Sequence, residues 1–330
     1  MTDADAVIGY LDPETFAEGR LPLDLELAGS AVAQDVAEPL ALSVAAGADA
    51  ISQIVDENMA NAARVHAVER GKDLAQRTMI AFGGNGPLHA ARVAEKTGVS
   101  RIIVPPDPGV GSAIGFLNAP VSYEIVRSHY TLFDRFDVEG VNALLCDMER
   151  EARHIVSPGA AGQALTVRRT GFMRYRGQGH EIEVSLPEGP IDEPALEVLR
   201  TDYERVYARL FSRVVPGMRI EAMNWAVVVA TQAPAPAPVA PSPEARLATA
   251  DGSRALYFGR LGERRDVPCY HRERLRPGDG LEGPALIVEA QTTSYVAPGF
   301  DAAIDGAGNI VMTRRPDGSS GAGGMSHGQT

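Results

Sequence analysis

Apolar residues in the first quarter of the chain follow a helical period. Between residues 43 and 71 they recur at steps of three and four, which predicts one helix. Ser43 is suited to begin this helix as its N-cap, and Gly71 to end it. Such a helix is long for a globular protein, so a break near Gly47 is an alternative. Residues 1–30 are rich in turn sequences and are predicted to be loop with short elements. The periodic apolar residues are Ile51, Ile54, Val55, Met59, Ala62 and Val65.

A short strand–helix–strand unit is predicted next. Residues 78–82 and 101–104 are apolar runs suited to buried strands, and residues 88–96 have helical periodicity between them. The loop at residues 83–87 (Gly-Gly-Asn-Gly-Pro) turns tightly from the first strand into the helix, which Gly98 ends. Short connections between two buried strands predict a right-handed parallel crossover, and therefore an α/β fold to about residue 120.

The rest of the chain is predicted to be a strand-rich α+β region. Glycines at residues 176–180 predict a hairpin turn between two β-like runs. The Ala/Pro-rich residues 231–243 predict an extended, polyproline-like linker, and residues 315–330 predict a disordered tail. The predicted helices are residues 138–155 and 196–207, and the predicted strands are residues 164–175, 182–186 and 225–230, with further short strands in the last 75 or so residues.

Composition narrows the class of protein. The 330 residues are 45% hydrophobic, enough for a sizeable core, and carry a net charge of −12. This acidic balance argues against a nucleic-acid partner, because phosphate neutralisation needs clustered Lys and Arg. Cys146 and Cys269 do not form a disulfide framework or a zinc pattern, and no metal site is predicted. No leader peptide or membrane-spanning segment is visible, so we expect a cytoplasmic protein without a membrane partner.

The glycine loop is the first candidate for chemistry. Backbone N–H groups at a strand-to-helix turn, together with the helix dipole, favour an anion such as a nucleotide phosphate, or a ribose. Gly83, Gly84, Asn85 and Gly86 are therefore the candidate nucleotide-binding residues. A purely structural tight connection is the alternative, since the loop has neither the Walker A pattern nor the dinucleotide spacing.

Two histidines are candidate catalytic residues. His89 lies in the first turn of the predicted helix, where it can orient a phosphate or simply pack. His180 follows the Gly-Gln-Gly turn and can act as a general base or metal ligand, or it can be an ordinary surface histidine. No second histidine stands at metal-ligand spacing from it.

Several ordered motifs resemble those of the hydantoinase A/5-oxoprolinase family, over nearly all of the chain up to Arg314. The opening segment, residues 2–13, is similar to a Thr-Asp-Ala-Asn-like segment of the family. The other motifs are Glu-Asn-Met-Ala at 57–60, Val-Glu-Arg-Gly at 68–71, Ala-Phe-Gly-Gly-Asn-Gly-Pro-Leu-His-Ala at 81–90, Val-Pro-Pro-Asp-Pro-Gly at 104–109, Tyr-Arg-Gly-Gln at 175–178, Leu-Glu-Gly-Pro-Ala at 281–285 and Asp-Gly-Ala-Gly-Asn at 305–309.

The resemblance implies part of an actin-like (ribonuclease H-like) ATPase domain at residues 1–125 and a strand-rich α+β C-terminal domain at residues 126–314. It implies ATP and Mg as cofactors, with Gly83, Gly84 and Gly86 in the adenosine-side loop of the nucleotide cleft. Asn85 departs from the small residue usual there. Relatives carry an upstream Asp-Gly-Gly-Thr-type phosphate loop that this sequence lacks. We therefore expect the chain to be inactive alone and most Mg contacts to come from a missing N-terminal half.

The family offers two reactions, and a third reading is non-catalytic. The first is ATP-dependent hydrolysis of a cyclic amide of the hydantoin or 5-oxoproline class, within a complex that includes a hydantoinase B-type subunit. The second is ATP-dependent carboxylation of a ketone such as acetone or acetophenone. Both couple phosphorylation of a carbonyl-derived oxygen to a second step. The third is a truncated relative that acts as an assembly module.

Overall fold

The chain forms two compact units. A computed structural model describes residues 1–233, 238, 241 and 243–316. The first unit comprises Met1–Phe116 together with the chain after residue 236, and the second comprises Leu117–Pro236. The chain therefore leaves the first unit, builds the second and returns. The predicted boundary at residue 125 falls close to the first crossing, whereas the strands after Arg246 belong with the N-terminal part.

The first unit combines helices from its N-terminal part with strands from both ends of the chain. Its helices are α1 (Thr2–Ile8), α2 (Leu25–Val32), α3 (Val44–Glu69), α4 (Gly86–Thr97) and α5 (Gly111–Asn118), the last ending just beyond the boundary. Its strands are β1 (Thr78–Ile80) and β2 (Arg101–Val104), then β7 (Arg246–Leu247), β8 (Gly252–Phe258), β9 (Glu263–His271), β10 (Asp279–Glu282), β11 (Ala285–Val288), β12 (Thr293–Val296), β13 (Phe300–Ile304) and β14 (Ile310–Arg314).

The predicted order of strand, helix and parallel strand is confirmed, but the expected burial of the first strand is wrong. Among the described residues β1 is the edge strand of its sheet, and Thr78 and Ile80 are exposed. β1 and β2 are parallel, with Met79 opposite Ile102, and α4 connects them. No local sequence pattern indicates that C-terminal strands join the same sheet. β14 pairs antiparallel with β2, placing Met312 opposite Ile102, and the strand order among the described residues is β1-β2-β14-β13-β10-β7. Residues some 200 positions apart therefore share one buried core of the first unit, including Ile102, Phe300 and Ile310.

The long helix α3 is continuous, and its orientation is unexpected. Ser43 is its N-cap, with the side-chain Oγ accepting a hydrogen bond from Ala46 N at 3.2 Å. No break occurs at Gly47, which allows close approach to Ala37, because a Cβ at this glycine would lie 3.1 Å from the Ala37 Cβ. The buried side of the helix carries small and polar residues, namely Ala48, Asp49, Ser52, Asp56, Ala60 and Ala67.

The apolar residues that predicted α3 lie largely on its solvent side. Ile54 is 62% exposed and Val65 is 58% exposed, and Val68, one turn further on, is also exposed. A periodic apolar pattern locates a helix, but it does not by itself decide which side is buried. We call Ile54, Val65 and Val68, which share one side of the helix, the apolar stripe of α3.

A second sheet of the first unit lies alongside the same core. Its order among the described residues is β12-β11-β9-β8, with β11 parallel to β9 and antiparallel to β12. Leu286, Val296 and Val267 from these strands are buried with Leu88 of α4. The sheet thereby brings the connection between β11 and β12 close to the glycine loop, since an added Cβ on Gly84 would lie 3.9 Å from the carbonyl oxygen of Gln291.

The second unit is a four-stranded sheet with two helices. Its strands are β3 (Ser122–Leu132), β4 (Leu165–Tyr175), β5 (Ile182–Ser185) and β6 (Ile220–Thr231), in the antiparallel order β3-β6-β4-β5, and its helices are α6 (Val138–Val156) and α7 (Glu193–Phe211). The predicted helices and the β4–β5 hairpin are confirmed. Trp225, Tyr203 and Leu145 are fully buried in its core, and the Trp225 indole donates to the His129 carbonyl at 2.8 Å.

Three expectations need correction or fall outside the described residues. Residues 1–30 contain two helices rather than mainly loop, because α1 and α2 are capped at Gly9 and Asp24. The predicted tail begins too early, since Arg315 pairs with Asp301 at 2.6 Å. Most of the predicted 231–243 linker and all of the tail after residue 316 lie outside the described residues, and Thr231 ends β6.

We predict that Gly9 is more sensitive to substitution than Gly71. Both follow a helix with positive φ, +104° and +59°, but only at Gly9 would a Cβ collide, 2.4 Å from the Ala255 carbonyl oxygen. Gly71→Ala should lower the free energy of unfolding by about 1 kcal/mol through the left-handed backbone alone. Gly9→Ala should cost about 3 kcal/mol because strand β8 must also move. Urea unfolding of both variants tests this, and equal losses would contradict the assigned packing of α1 on β8.

Candidate functional site

The glycine loop turns directly from β1 into α4, as predicted. Gly83 has φ +96° and donates its N–H to the Pro108 carbonyl at 2.7 Å. Gly86 begins α4, so the N–H groups of this first turn have no partner within the helix and carry the positive end of its dipole. The geometry suits a ligand that accepts hydrogen bonds from the backbone. Nucleotide binding by Gly83, Gly84, Asn85 and Gly86 stays a prediction.

Asn85 points its side chain inward instead of capping α4. Its Nδ2 donates to Asp5 Oδ2 at 3.0 Å and also lies 3.0 Å from His89 Nε2. Because an amide nitrogen donates, His89 Nε2 must accept, which leaves the imidazole proton on Nδ1. Nδ1 then donates to Asp56 Oδ1 at 2.8 Å. The loop is thus tied to helix α1 directly by Asn85 and to helix α3 through the buried His89.

The Asp5 carboxyl is buried at the other end of this hydrogen bond. Burial raises its pKa, and the hydrogen bond from Asn85 works in the opposite direction. Its Oδ1 has no hydrogen-bond partner among the described residues. A carboxyl in such surroundings resists ionisation, because its charge would lose hydration that protein groups do not replace.

Arg92 compensates the two remaining buried carboxylates. Its guanidinium lies 3.5 Å from Asp49 Oδ1 and 3.6 Å from Asp56 Oδ2. It also donates to the Tyr10 hydroxyl, and its Cζ lies 5.3 Å from the centre of the Tyr10 ring. Burial raises the pKa of the neighbouring Tyr295 to about 12, so that phenol stays neutral beside the charges. Asp49, Asp56 and Arg92 therefore form a compensated group beneath the loop.

Two cavities of the first unit flank this polar group. The loop cavity has a volume of about 590 Å³ and is lined by Gly84, Asn85 and the β11–β12 connection at residues 289–292. The Arg92 cavity has a volume of about 500 Å³ and is lined by Asp49, Asp56 and Arg92, among others. Both lie within the size range of small-molecule sites. Asn85 borders the first cavity and Asp56 the second, with His89 between them.

Glu289 lines the loop cavity and has an unusual environment for a carboxylate. Within the part of the chain that the structure describes, its carboxylate accepts no hydrogen bond, and its Oε1 is buried. Burial raises its pKa to about 7, although the charge of Arg272 lowers it and that of Asp107 raises it further. Thr292, at the other end of the same connection, is 7% exposed and its hydroxyl also lacks a partner there.

The second candidate histidine lies elsewhere. His180 is exposed on the turn between β4 and β5 in the second unit, and has no ion pair or hydrogen bond among the described residues. The described ranges contain no group of three or more His, Cys, Asp or Glu side chains arranged to hold a metal ion. In the same ranges no helix is both long and apolar enough to cross a membrane.

Sequence reasoning found the loop and His89 but missed their partners. Asp49, Ser52 and Asp56 repeat at three- and four-residue steps inside an Ala-rich helix, and this polar stripe is the signal that was available. Arg92 follows His89 by three residues and so shares its helix face. Glu289 gave no local signal, because only the pairing of distant strands brings it to the loop.

Sequence comparison now identifies the class of protein. A sequence model of the hydantoinase/oxoprolinase family matches residues 1–125, and a model of the hydantoinase/oxoprolinase C-terminal domain matches residues 144–311. The chain belongs to the hydantoinase/oxoprolinase family, and the resemblance inferred from its motifs is confirmed.

The individual relatives include enzymes named for a cyclic amide substrate and enzymes named for a ketone substrate. The caprolactamase subunit alpha of Pseudomonas jessenii is 28% identical over 95% of this chain. The acetophenone carboxylase gamma subunit of Aromatoleum aromaticum is 31% identical over 90%. Among solved structures, the ATP-dependent caprolactamase of Pseudomonas jessenii has a TM-score of 0.73 at 27% identity, and nucleotide-free acetone carboxylase a TM-score of 0.72 at 26% identity, each matching 95% of this chain.

The chain spans less than half the length of each of these relatives. It covers 46% of the caprolactamase subunit and 42% of the acetophenone carboxylase subunit, and 46% of each of the two solved chains. The mixed α/β fold is shared with these structures, and the relatives named as subunits belong to multi-subunit enzymes.

We predict that Arg92 is essential for stability. Arg92→Met would leave Asp49 and Asp56 buried without a compensating charge, which should lower the free energy of unfolding by about 3 to 5 kcal/mol. Arg260, an exposed arginine on the wall of the same cavity, is the matched control. Arg260→Met should change stability by less than about 0.5 kcal/mol. Urea unfolding measures both, and a small loss for Arg92→Met would contradict the role of Arg92 as the compensating charge.

We also predict a pH-dependent cost from Glu289. Its folded-state pKa of about 7 lies above its ordinary value of 4.5, so the folded state holds the proton more tightly and stability falls as pH rises between these values. Relative to Glu289→Gln, the wild-type chain should lose about 2 to 3 kcal/mol between pH 4 and pH 8. Chemical unfolding at both pH values, with the exposed Glu273→Gln as control, measures this difference. A difference that does not change with pH would rule out the buried, partnerless carboxyl.

Proposed function

We propose that this chain is the part of an ATP-dependent hydantoinase/oxoprolinase-type enzyme that holds the nucleoside end of ATP. The observation that carries the proposal is the glycine loop opening onto the loop cavity at the start of α4. Family membership makes ATP the expected ligand, and the two similar solved structures are of ATP-dependent enzymes. The actin-like architecture inferred from the motifs belongs to the same proposal.

The residues present fit one end of ATP better than the other. Gly84 offers a backbone that a ligand can approach, and the cavity beside it has room for a nucleoside. The described residues hold no cluster suited to a divalent cation, so Mg and the terminal phosphates would be held by residues outside them. These residues can belong to the same polypeptide or to another one.

The proposed substrate is a cyclic amide of the hydantoin or 5-oxoproline class. ATP would supply the phosphoryl group that activates the carbonyl oxygen, a reaction in which protein groups mainly position the reactants and stabilise charge. In this chain, Asn85 and Asp56 fix the His89 tautomer and keep its proton on Nδ1. The buried imidazole then has a structural role in holding the loop, and His180 remains a candidate only as a surface residue.

The apolar stripe of α3 supports the need for a further polypeptide surface. Ile54, Val65 and Val68 are each more than half exposed, along a helix of 26 residues. Exposed apolar side chains grouped on one side of a helix fit an interaction surface. We propose that it is covered by the part of the family's longer chains that this chain does not match, that a hydantoinase B-type subunit completes the complex, and that the chain alone is inactive.

Ketone carboxylation is the second candidate. It is favoured by the similarity to the acetophenone carboxylase gamma subunit and to acetone carboxylase, which is as strong as that to the caprolactamase. The fold and the loop cavity would serve either reaction, because both begin by activating a carbonyl with ATP. The choice between them therefore depends on the substrate that stimulates ATP turnover.

We predict that ATP turnover requires both partners and an intact loop. The tagged chain would be purified gently from its source and assayed with 5-oxoproline, hydantoin, or acetone plus bicarbonate. Stimulation by a cyclic amide supports the first candidate, and bicarbonate-dependent stimulation by the ketone supports the second. Gly84→Val should abolish either, whereas Gly252→Val should not, because Gly252 begins β8, has no positive φ and has open space where the side chain would lie.

The opposing outcome is equally specific. If the chain is recovered without partners, and neither ATP nor adenosine binds to it at millimolar concentration, the enzyme proposal fails. A non-catalytic member that serves as an assembly module would then remain.

A further inference from the structure

The β11–β12 connection holds two polar groups that the protein leaves without partners. Glu289 and Thr292 are joined by a backbone hydrogen bond of 2.9 Å from Glu289 N to Thr292 O, which fixes the turn. Their side-chain oxygens Oε1 and Oγ1 are nevertheless buried and unsatisfied among the described residues. Leaving such groups unpaired is costly, so native proteins usually retain them for a reason.

The chemistry of these groups defines what would satisfy them. An ionised carboxylate only accepts hydrogen bonds, and a threonine hydroxyl can both accept and donate. A ligand in the loop cavity must therefore present N–H or O–H donors towards residues 289–292. A phosphate does not supply such donors to Glu289, because its oxygens are hydrogen-bond acceptors.

The loop cavity sets two different requirements for the hydrogen bonding of its ligand. The start of α4 favours a ligand that accepts hydrogen bonds, whereas Glu289 favours one that donates them. Leu11 and Phe16 contribute apolar surface to the same cavity, which a flat ring can cover. A molecule with an apolar ring, ring acceptors and hydroxyl or amino donors matches all three surfaces, and a nucleoside has each of them.

We propose that Glu289 and Thr292 are the residues that recognise the nucleoside of ATP, with Glu289 accepting a hydrogen bond from a ribose hydroxyl or from the exocyclic amine of adenine. The proposal rests on the proposed function and adds to it a recognition element from the C-terminal strands. The glycine loop supplies one wall of the site, and a turn about 200 residues later supplies the specificity.

Ligand analogues distinguish the two possible donors to Glu289, a ribose hydroxyl and the exocyclic amine of adenine. Adenosine, 2′-deoxyadenosine, 3′-deoxyadenosine and inosine would be titrated against the wild-type chain and Glu289→Gln by calorimetry. If Glu289 binds the ribose, one of the deoxy analogues should lose affinity for wild type but not for Glu289→Gln. If Glu289 binds the exocyclic amine, inosine, which lacks that amine, should instead lose affinity for wild type but not for Glu289→Gln.

The variants measure the contribution of each side chain. Loss of a charge-assisted hydrogen bond should weaken adenosine binding by about tenfold or more in Glu289→Gln. Thr292→Val, which keeps the shape, should weaken it less, and the exposed Glu273→Gln should not change it. Glu289→Gln should also remove the rise in affinity expected from pH 6 to pH 8, because a donor ligand favours the ionised carboxylate beside Arg272 and Asp107.

Failure of this inference is separable from failure of the proposed function. If adenosine binds and Gly84→Val weakens binding while Glu289→Gln and Thr292→Val do not, the recognition role is overturned and the loop proposal stands. If the wild-type chain binds neither adenosine nor ATP, both are overturned. Circular dichroism and the unfolding midpoint of each variant exclude loss of fold as the cause.

Discussion

The contact between Arg92 and the buried carboxylates of α3 is the constraint on which the first unit depends. Burying Asp49 and Asp56 removes their hydration, and only a close, well-oriented cation makes this tolerable. Arg92 reaches them from α4, while Tyr10 behind α1 and Tyr295 on β12 lie against its guanidinium. Helices α3 and α4, the segment that follows α1 and strand β12 therefore meet at one side chain, and small residues on α3 give the helices room to approach.

The same face of α4 carries the polar residues that link the two cavities. Asn85, His89 and Arg92 follow at steps of four and three, so their side chains lie in one row. Asn85 borders the loop cavity, and Arg92 and Asp56 border the other. Each imidazole nitrogen of His89 has one partner, Asn85 at Nε2 and Asp56 at Nδ1. If Asn85 no longer donated to Nε2, the proton could move from Nδ1 to Nε2, and Asp56 would lose the hydrogen bond that it accepts. The helix thus joins two solvent-accessible spaces through groups that are themselves shielded from water.

Local chemistry explains which parts of this molecule were predictable. The β1–α4–β2 unit followed from apolar runs and a glycine turn, because these features act over a few residues. The direction faced by α3 did not follow, since its apolar side is the exposed one and the buried side is built of Ala, Ser and Asp. Glu289 could not be placed either. Its position depends on β11 pairing with β9 and β12, and such long-range pairing leaves no mark in the neighbouring sequence.

The apolar stripe of α3 also bears on how the cell must produce this protein. Chaperones and proteases act on chains that expose apolar surface, so the lifetime of such a chain depends on how soon that surface is covered. Where the covering surface lies in the same polypeptide, folding provides it at once. Where it lies in another, the two chains must be synthesised in matched amounts, and an excess of this one would aggregate or be degraded. The helix therefore couples subunit dosage to protein survival.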